Sequence, residues 1–231
     1  MQKLRQIYRS NYTGENVVTT LTYEGGDWKP ETEMVPNSVF TTHTTSQAIA
    51  IANGPSRNGF DLTHIANHKG GLFGVDRLQS YGCNSIYNEF TPDFLIAIDD
   101  EVIANLADSE YTADNIVYVQ GENVLKYPGK FYLIPQNVSY DAGSLAAYMA
   151  CFDGHTKVYL MGYDSYDETT TDHPTATFFI KSLLSVIQTY NEVEFVRVMP
   201  TSNYSCSTEL SSQPNFRQID FRDFVLEADI G

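Results

Sequence analysis

From Ser46 onward, short apolar runs alternate with segments of helical periodicity. Gln47-Ala48-Ile49-Ala50-Ile51-Ala52 is continuously apolar after its first residue, as a strand covered on both faces must be. Phe94–Ile98, Asn115–Val119, Lys130–Ile134 and Lys157–Met161 read as further strands, and Glu194–Met199 as the last clear one. Another strand is expected to end at Tyr81-Gly82-Cys83-Asn84. Between them, Asp61 caps a helical start, and Asp99 or Asp100 caps a segment running through Leu106. Gly143 to Phe152 is a helix of small and apolar residues, and Thr175 to Tyr190 the longest helix. This alternation predicts an α/β protein with a mostly parallel sheet flanked by helices. Residues 1–45 break the pattern. Val17–Tyr23, then Gly25-Gly26 and Trp28, predict a β-hairpin with a glycine turn, so 1–45 is read as a small N-terminal β appendage and 46–231 as the main domain.

Composition narrows the function classes. The 231 residues suffice for one sizeable domain with an appendage, and 42% hydrophobic residues support a packed core. Fourteen Lys and Arg against 29 Asp and Glu give a formal charge of −15, which repels nucleic-acid phosphates. The one basic grouping, Lys3, Arg5 and Arg9, is too small to reverse this, so no nucleic-acid partner is expected. No apolar segment follows Met1 as a secretory signal would require, and no stretch is long enough to span a bilayer. Cys83, Cys151 and Cys206 are odd in number and lack metal-ligand spacing. A reduced, cytoplasmic setting without a metal is expected.

Ligands of open parallel sheets bind beyond the carboxyl ends of the strands, so those positions are the candidates. Asn53-Gly54-Pro55-Ser56 follows the first strand. Its glycine permits close approach of a phosphate or sugar, its Asn and Ser supply donors and acceptors, and the amides of the next turn favour an anion. It lacks both the phosphate-loop and the dinucleotide fingerprint. Asn84 ends another strand. Asp99-Asp100 serve as a helix cap or, if a diphosphate binds, as magnesium ligands. Gly143 and Ser144 open the small-residue helix, suited to an anion or to tight packing. Gly162-Tyr163-Asp164-Ser165-Tyr166-Asp167 leads into a polar loop ending at His173-Pro174, long enough to act as a lid. An Asp there suits a ribose hydroxyl, a Tyr a leaving phosphate, and a His a general base.

Taken in order, these motifs resemble the single-domain bacterial sialyltransferases. Ala50–Ser56 is similar to their first strand and nucleotide loop, and Tyr81–Asn84 to their Cys-Asn strand end. Ala142–Ala150 with Lys157–Tyr166 resembles their Ser-Gly helix and the strand ending in Gly-x-Asp-x-Tyr, and Met199–Ser202 their late Pro-x-Ser segment. The Asn-Gly-Pro-Ser and Gly-x-Asp elements are also similar to those of proteins related to archaeal 6-hydroxymethylpterin diphosphokinases. The resemblance spans roughly residues 48–202 and implies a Rossmann-like fold. It implies a metal-independent glycosyltransferase with a nucleotide-sugar donor and a glycan or small-molecule acceptor. Asn53, Gly54, Pro55, Ser56, Asn84, Gly143, Ser144 and Asp164 would hold the nucleotide, Tyr166 would help the phosphate leave, and His173 would deprotonate the acceptor.

Departures leave alternatives open. The lid is shorter than in those relatives, Tyr140-Asp141 stands where they carry Thr or Ser, and 1–45 has no equivalent. A pterin-type diphosphokinase would require magnesium at Asp99, Asp100 or Asp164. A nucleotide-binding or assembly module without catalysis is the remaining class, and the exposed hairpin makes a homo-oligomer plausible. All readings of the site share one expectation: Asn53, Asn84, Ser144 and Tyr166 converge around a single hollow.

Overall fold

The computed structural model describes residues 2–10, 15–36, 46–66, 78–164 and 174–231. Near the N-terminus, β1 (Gln2–Ser10), β2 (Glu15–Glu24) and β3 (Asp27–Pro36) form an antiparallel sheet in that order. The predicted hairpin is β2–β3, and β1 adds a third strand. Gly25 and Gly26 form its two-residue turn with φ of 66° and 93°. Two consecutive positive φ values are the signature of the turn that matches strand twist, and they explain the glycine pair. Tyr23 faces Trp28 across the ladder with ring centroids 5.1 Å apart. Leu21 and Trp28 also pack on the core of the main sheet, so the appendage is seated on the same chain.

The main sheet is parallel throughout. Its strands are β4 (Gln47–Ile51), β5 (Gln79–Cys83), β6 (Phe94–Ile96), β7 (Ile116–Val119), β8 (Tyr132–Leu133), β9 (Lys157–Met161), β10 (Glu194–Met199) and β11 (Phe216–Asp220). They lie in the order β11-β10-β9-β4-β5-β6-β7-β8. The helices are α1 (Thr63–Ala66), α2 (Asp100–Asp108), α3 (Tyr111–Asp114), α4 (Gly121–Lys126), α5 (Ala142–Phe152), α6 (Pro174–Thr189), α7 (Thr208–Ser211) and α8 (Phe221–Ala228). The α/β class and the Rossmann-like parallel sheet stand as expected. Glu194–Met199 is not the last strand, because β11 and α8 follow. Among the described residues no helix is long and apolar enough to cross a membrane.

Two hydrophobic cores explain the apolar run in β4. Ala48, Ala50 and Ala52 face α5 and α6, whereas Ile49 and Ile51 face α2 and α8. Small side chains on one face let α5 lie close, and from Gly143 to Phe152 it is buried on every side. A helix buried all round needs small and apolar residues throughout, which is what its sequence supplies. Chain order reverses at β4, whose neighbours β5 and β9 lead to opposite edges of the sheet. Such a switch point opens a crevice at the carboxyl ends of the strands.

Candidate functional site

The crevice is present, as a cavity of about 490 Å³ beyond β4, β5, β6 and β9. Asn53, Gly54, Pro55, Asn84 and Gly143 line it, together with Asp99, Tyr140 and Asp141. Phe178 and Phe179 of α6 complete its rim.

Its floor is set by two glycines. Gly54 donates its N–H to the Gly162 carbonyl at 2.9 Å, and Ala52 donates to Met161 at 2.8 Å, so the two loops continue the sheet pairing. A Cβ on Gly54 would collide with the Gly162 carbonyl and the Asp164 carboxylate. Gly162 has φ of 77°, and a Cβ there would strike the Ala52 carbonyl. Close backbone approach, rather than a ligand, fixes both residues.

Asp164 latches the loop. Its carboxylate accepts the Ser56 N–H at 3.1 and 3.2 Å and the Ser56 hydroxyl at 2.7 Å. Arg57 lies behind, 6% exposed, in a two-pronged ion pair with Glu89 at 2.8 and 3.1 Å. That pairing holds the Glu89 carboxyl below its ordinary value, through hydrogen bonding first and charge second. A carboxylate thus occupies the place where the Ser56 amide and hydroxyl would meet a phosphate.

The two asparagines are oriented by backbone partners. Asn53 donates its side-chain N–H to the Cys83 carbonyl at 3.2 Å, which leaves its Oδ1 as an acceptor. Asn84 accepts the Ile98 N–H on its Oδ1 at 3.1 Å, which leaves its Nδ2 as a donor. Each assignment follows from the partner, since a carbonyl only accepts and an amide N–H only donates. Asn84 has φ of 45°, a left-handed conformation that Asn adopts more readily than most residues.

The N-terminus of α5 supplies further donors. Asp141, 6% exposed, caps the helix by accepting the Ser144 N–H at 3.1 Å and the Ser144 hydroxyl. The Ala142 and Gly143 amides precede the first capped one, and both residues line the cavity. Tyr163, fully buried, donates its hydroxyl to the Gly143 carbonyl at 2.7 Å, tying β9 to α5. Burial pushes the Tyr163 phenol well above its ordinary value. Burial, with help from the charges of Asp141 and Asp99, pushes the Cys83 thiol up to about 12. Cys83 is therefore no thiolate nucleophile, although it lines the cavity.

The structure thus brings Asn53, Gly54, Pro55, Asn84 and Gly143 to one cavity. Ser144 lies one residue deeper, fully buried, its hydroxyl committed to Asp141. Ser56 and Asp164 bond to each other and do not line the cavity. Tyr166 and His173 fall outside the described residues. Asp99 takes the N-cap position of α2 without the expected cap, since its carboxylate makes no hydrogen bond to the helix. Tyr140, Phe178 and Phe179 are additions that the strand-end search missed. For Phe178 and Phe179 the signal was a pair of aromatics in the first turns of a helix otherwise patterned for burial. No group of three or more His, Cys, Asp or Glu among the described residues is arranged to hold a metal ion.

No family model, curated protein or solved structure matches this chain.

Proposed function

We propose that this protein is a nucleotide-dependent transferase whose donor occupies the cavity beyond β4, β5, β6 and β9, with glycosyl transfer from a nucleotide-sugar as its chemistry. One observation carries the reading: Asn53, Asn84 and the N-terminus of α5 converge on a single hollow at the switch point of a parallel sheet. The Nδ2 of Asn84 and the free amides of α5 offer neutral donors to a phosphate, and the helix dipole adds to them. Such groups bind an anion within a chain of charge −15. The rings of Tyr140, Phe178 and Phe179 offer apolar faces to a base or sugar. Acceptor deprotonation by His173 and assistance to the leaving phosphate by Tyr166 are part of the proposal through the family resemblance alone.

Binding without turnover is the second reading. The latch favours it, because Ser56 and Ser144 spend their hydroxyls on Asp164 and Asp141. A thermal-shift screen with cytidine, uridine, guanosine and adenosine nucleotides, with and without magnesium, tests both. Saturating nucleotide at a hundred times its Kd is expected to stabilise the fold by about 2.7 kcal/mol. No shift with any of them removes the nucleotide reading. A shift without release of nucleotide from the corresponding sugar donors decides for binding alone.

A further inference from the structure

Among the described residues that line the cavity, Asp99 is the charged one whose side chain the fold does not use. It follows β6 at the start of α2, where a side-chain oxygen ordinarily caps the helix. Its carboxylate makes no such bond, is exposed, and lines the cavity. Asp141, the other cavity carboxylate, is buried and consumed by Ser144. Asp99 therefore presents an acceptor-only group to whatever enters.

The donors lie elsewhere. The Nδ2 of Asn84 ends β5, one strand over, and the free amides of Ala142 and Gly143 open α5. Asn84 and Asp99 follow the adjacent strands β5 and β6 and both line the cavity, so a donor and an acceptor meet the same ligand. The polarity fixes how an anionic ligand lies. Its phosphate is drawn to the donors and repelled by Asp99, which leaves a hydroxyl-bearing part facing the carboxylate. A vicinal diol is the neutral group that best satisfies two carboxylate oxygens, because each hydroxyl donates to one of them.

We propose that Asp99 holds the 2′,3′-diol of a ribonucleotide, and so selects ribonucleotides and fixes the direction in which they enter. The proposal rests on the nucleotide reading of the cavity but not on any step of transfer.

The test is a binding cycle. The nucleoside monophosphate giving the largest thermal shift and its 2′,3′-dideoxy counterpart are titrated calorimetrically into the parent protein, Asp99→Ala and Asp99→Asn. Removing Asp99 also removes a charge that repels phosphate, so absolute affinities shift for both ligands. Only the ribo-to-dideoxy ratio isolates the diol. The parent is expected to prefer the ribonucleotide by at least about tenfold, the scale of hydrogen bonds to a charged group. The ratio is expected to fall to within about twofold in Asp99→Ala, and to an intermediate value in Asp99→Asn. Because Asp99 does not cap α2, both variants are expected to melt close to the parent. Equal affinity of the parent for the two ligands overturns the proposal, as does a ratio that survives both substitutions, while nucleotide binding itself stands. Binding of no nucleotide to the parent overturns the underlying reading and the proposal together.

Discussion

The two ends of the parallel sheet carry polar residues on the same strands and treat them in opposite ways. At the amino end, Gln79 and Tyr81 of β5 meet Asp153 and His155 from the turn between α5 and β9, and all four are buried. The Tyr81 hydroxyl donates to Asp153 at 2.6 Å, and His155 Nε2 lies 3.1 Å from the Gln79 Oε1 and 3.2 Å from the Tyr81 hydroxyl. On the other face of the sheet, Glu227 of α8 accepts from Lys157 at 2.9 Å, Arg217 at 2.6 Å and Tyr159 at 3.0 Å. Polar groups there bond chiefly to one another. At the carboxyl end, Asn53 and Asn84 each spend one side-chain atom on the backbone and keep the other, and Asp99 makes no cap bond. Hydrogen bonds that complete themselves stabilise a fold, whereas groups left half-satisfied at a cavity wall are available to a ligand.

The comparison breaks first where the latch is tightest. Gly162→Ala forces a Cβ against the Ala52 carbonyl at a left-handed φ, so a loss of about 3 kcal/mol is expected by chemical denaturation. A melting curve unchanged from the parent would show that the latch is not packed as described. Next, Tyr81→Phe leaves a buried Asp153 oxygen without the hydroxyl that donates to it at 2.6 Å. It should cost about 2 kcal/mol of stability while nucleotide affinity stays within twofold. A large loss of affinity in that variant would mean that the two ends are coupled. The reverse is expected of Asn84→Gly. Glycine accepts the left-handed φ, so stability should stay within about 1 kcal/mol, yet affinity should fall about tenfold with loss of the amide donor. Retained affinity would remove Asn84 from the site.

The smallest effect is one of acidity. Burial opposes ionisation of Glu227, but hydrogen bonds from Arg217, Lys157 and Tyr159 outweigh it and bring its carboxyl down to about 2. A carboxyl depressed on folding stabilises above its unfolded value near 4.5, and that contribution disappears as pH falls toward 2. Glu227→Gln should therefore narrow the gap between stability at pH 6 and at pH 3. A gap of parental size would assign the acid sensitivity to other carboxylates.

Legibility in the sequence followed the same division. β4 and β9 stood out because strands buried on both faces are written as nearly unbroken apolar runs, and β10 is interrupted only by the buried Arg197. β11 (Phe-Arg-Gln-Ile-Asp) is only partly covered, so its polar residues disguise it. Phe221, Phe224, Val225 and Ala228, at helical spacing behind the Asp220 cap, were a legible signal for α8 that a search for apolar runs passes over. At the site, the turn residues were readable and their free atoms were not. Which atom of Asn53 faces the cavity depends on Cys83, 30 residues away, and that of Asn84 depends on Ile98. The commitment of Ser56 was equally hidden, because its partner Asp164 lies 108 residues downstream.

Strand order also governs how this chain must be made. β4 sits at the centre of the sheet, yet the strand on its far side, β9, pairs Lys157 with Gln47, 110 residues later in the chain. At about 5–20 residues per second, a ribosome needs some seconds to deliver that neighbour. During that interval the half-sheet from β4 to β8 presents one raw apolar flank, a ready template for pairing with another nascent chain. Truncation before β9 should therefore yield an aggregating fragment instead of a smaller soluble domain, and chaperone occupancy should peak just before β9 emerges.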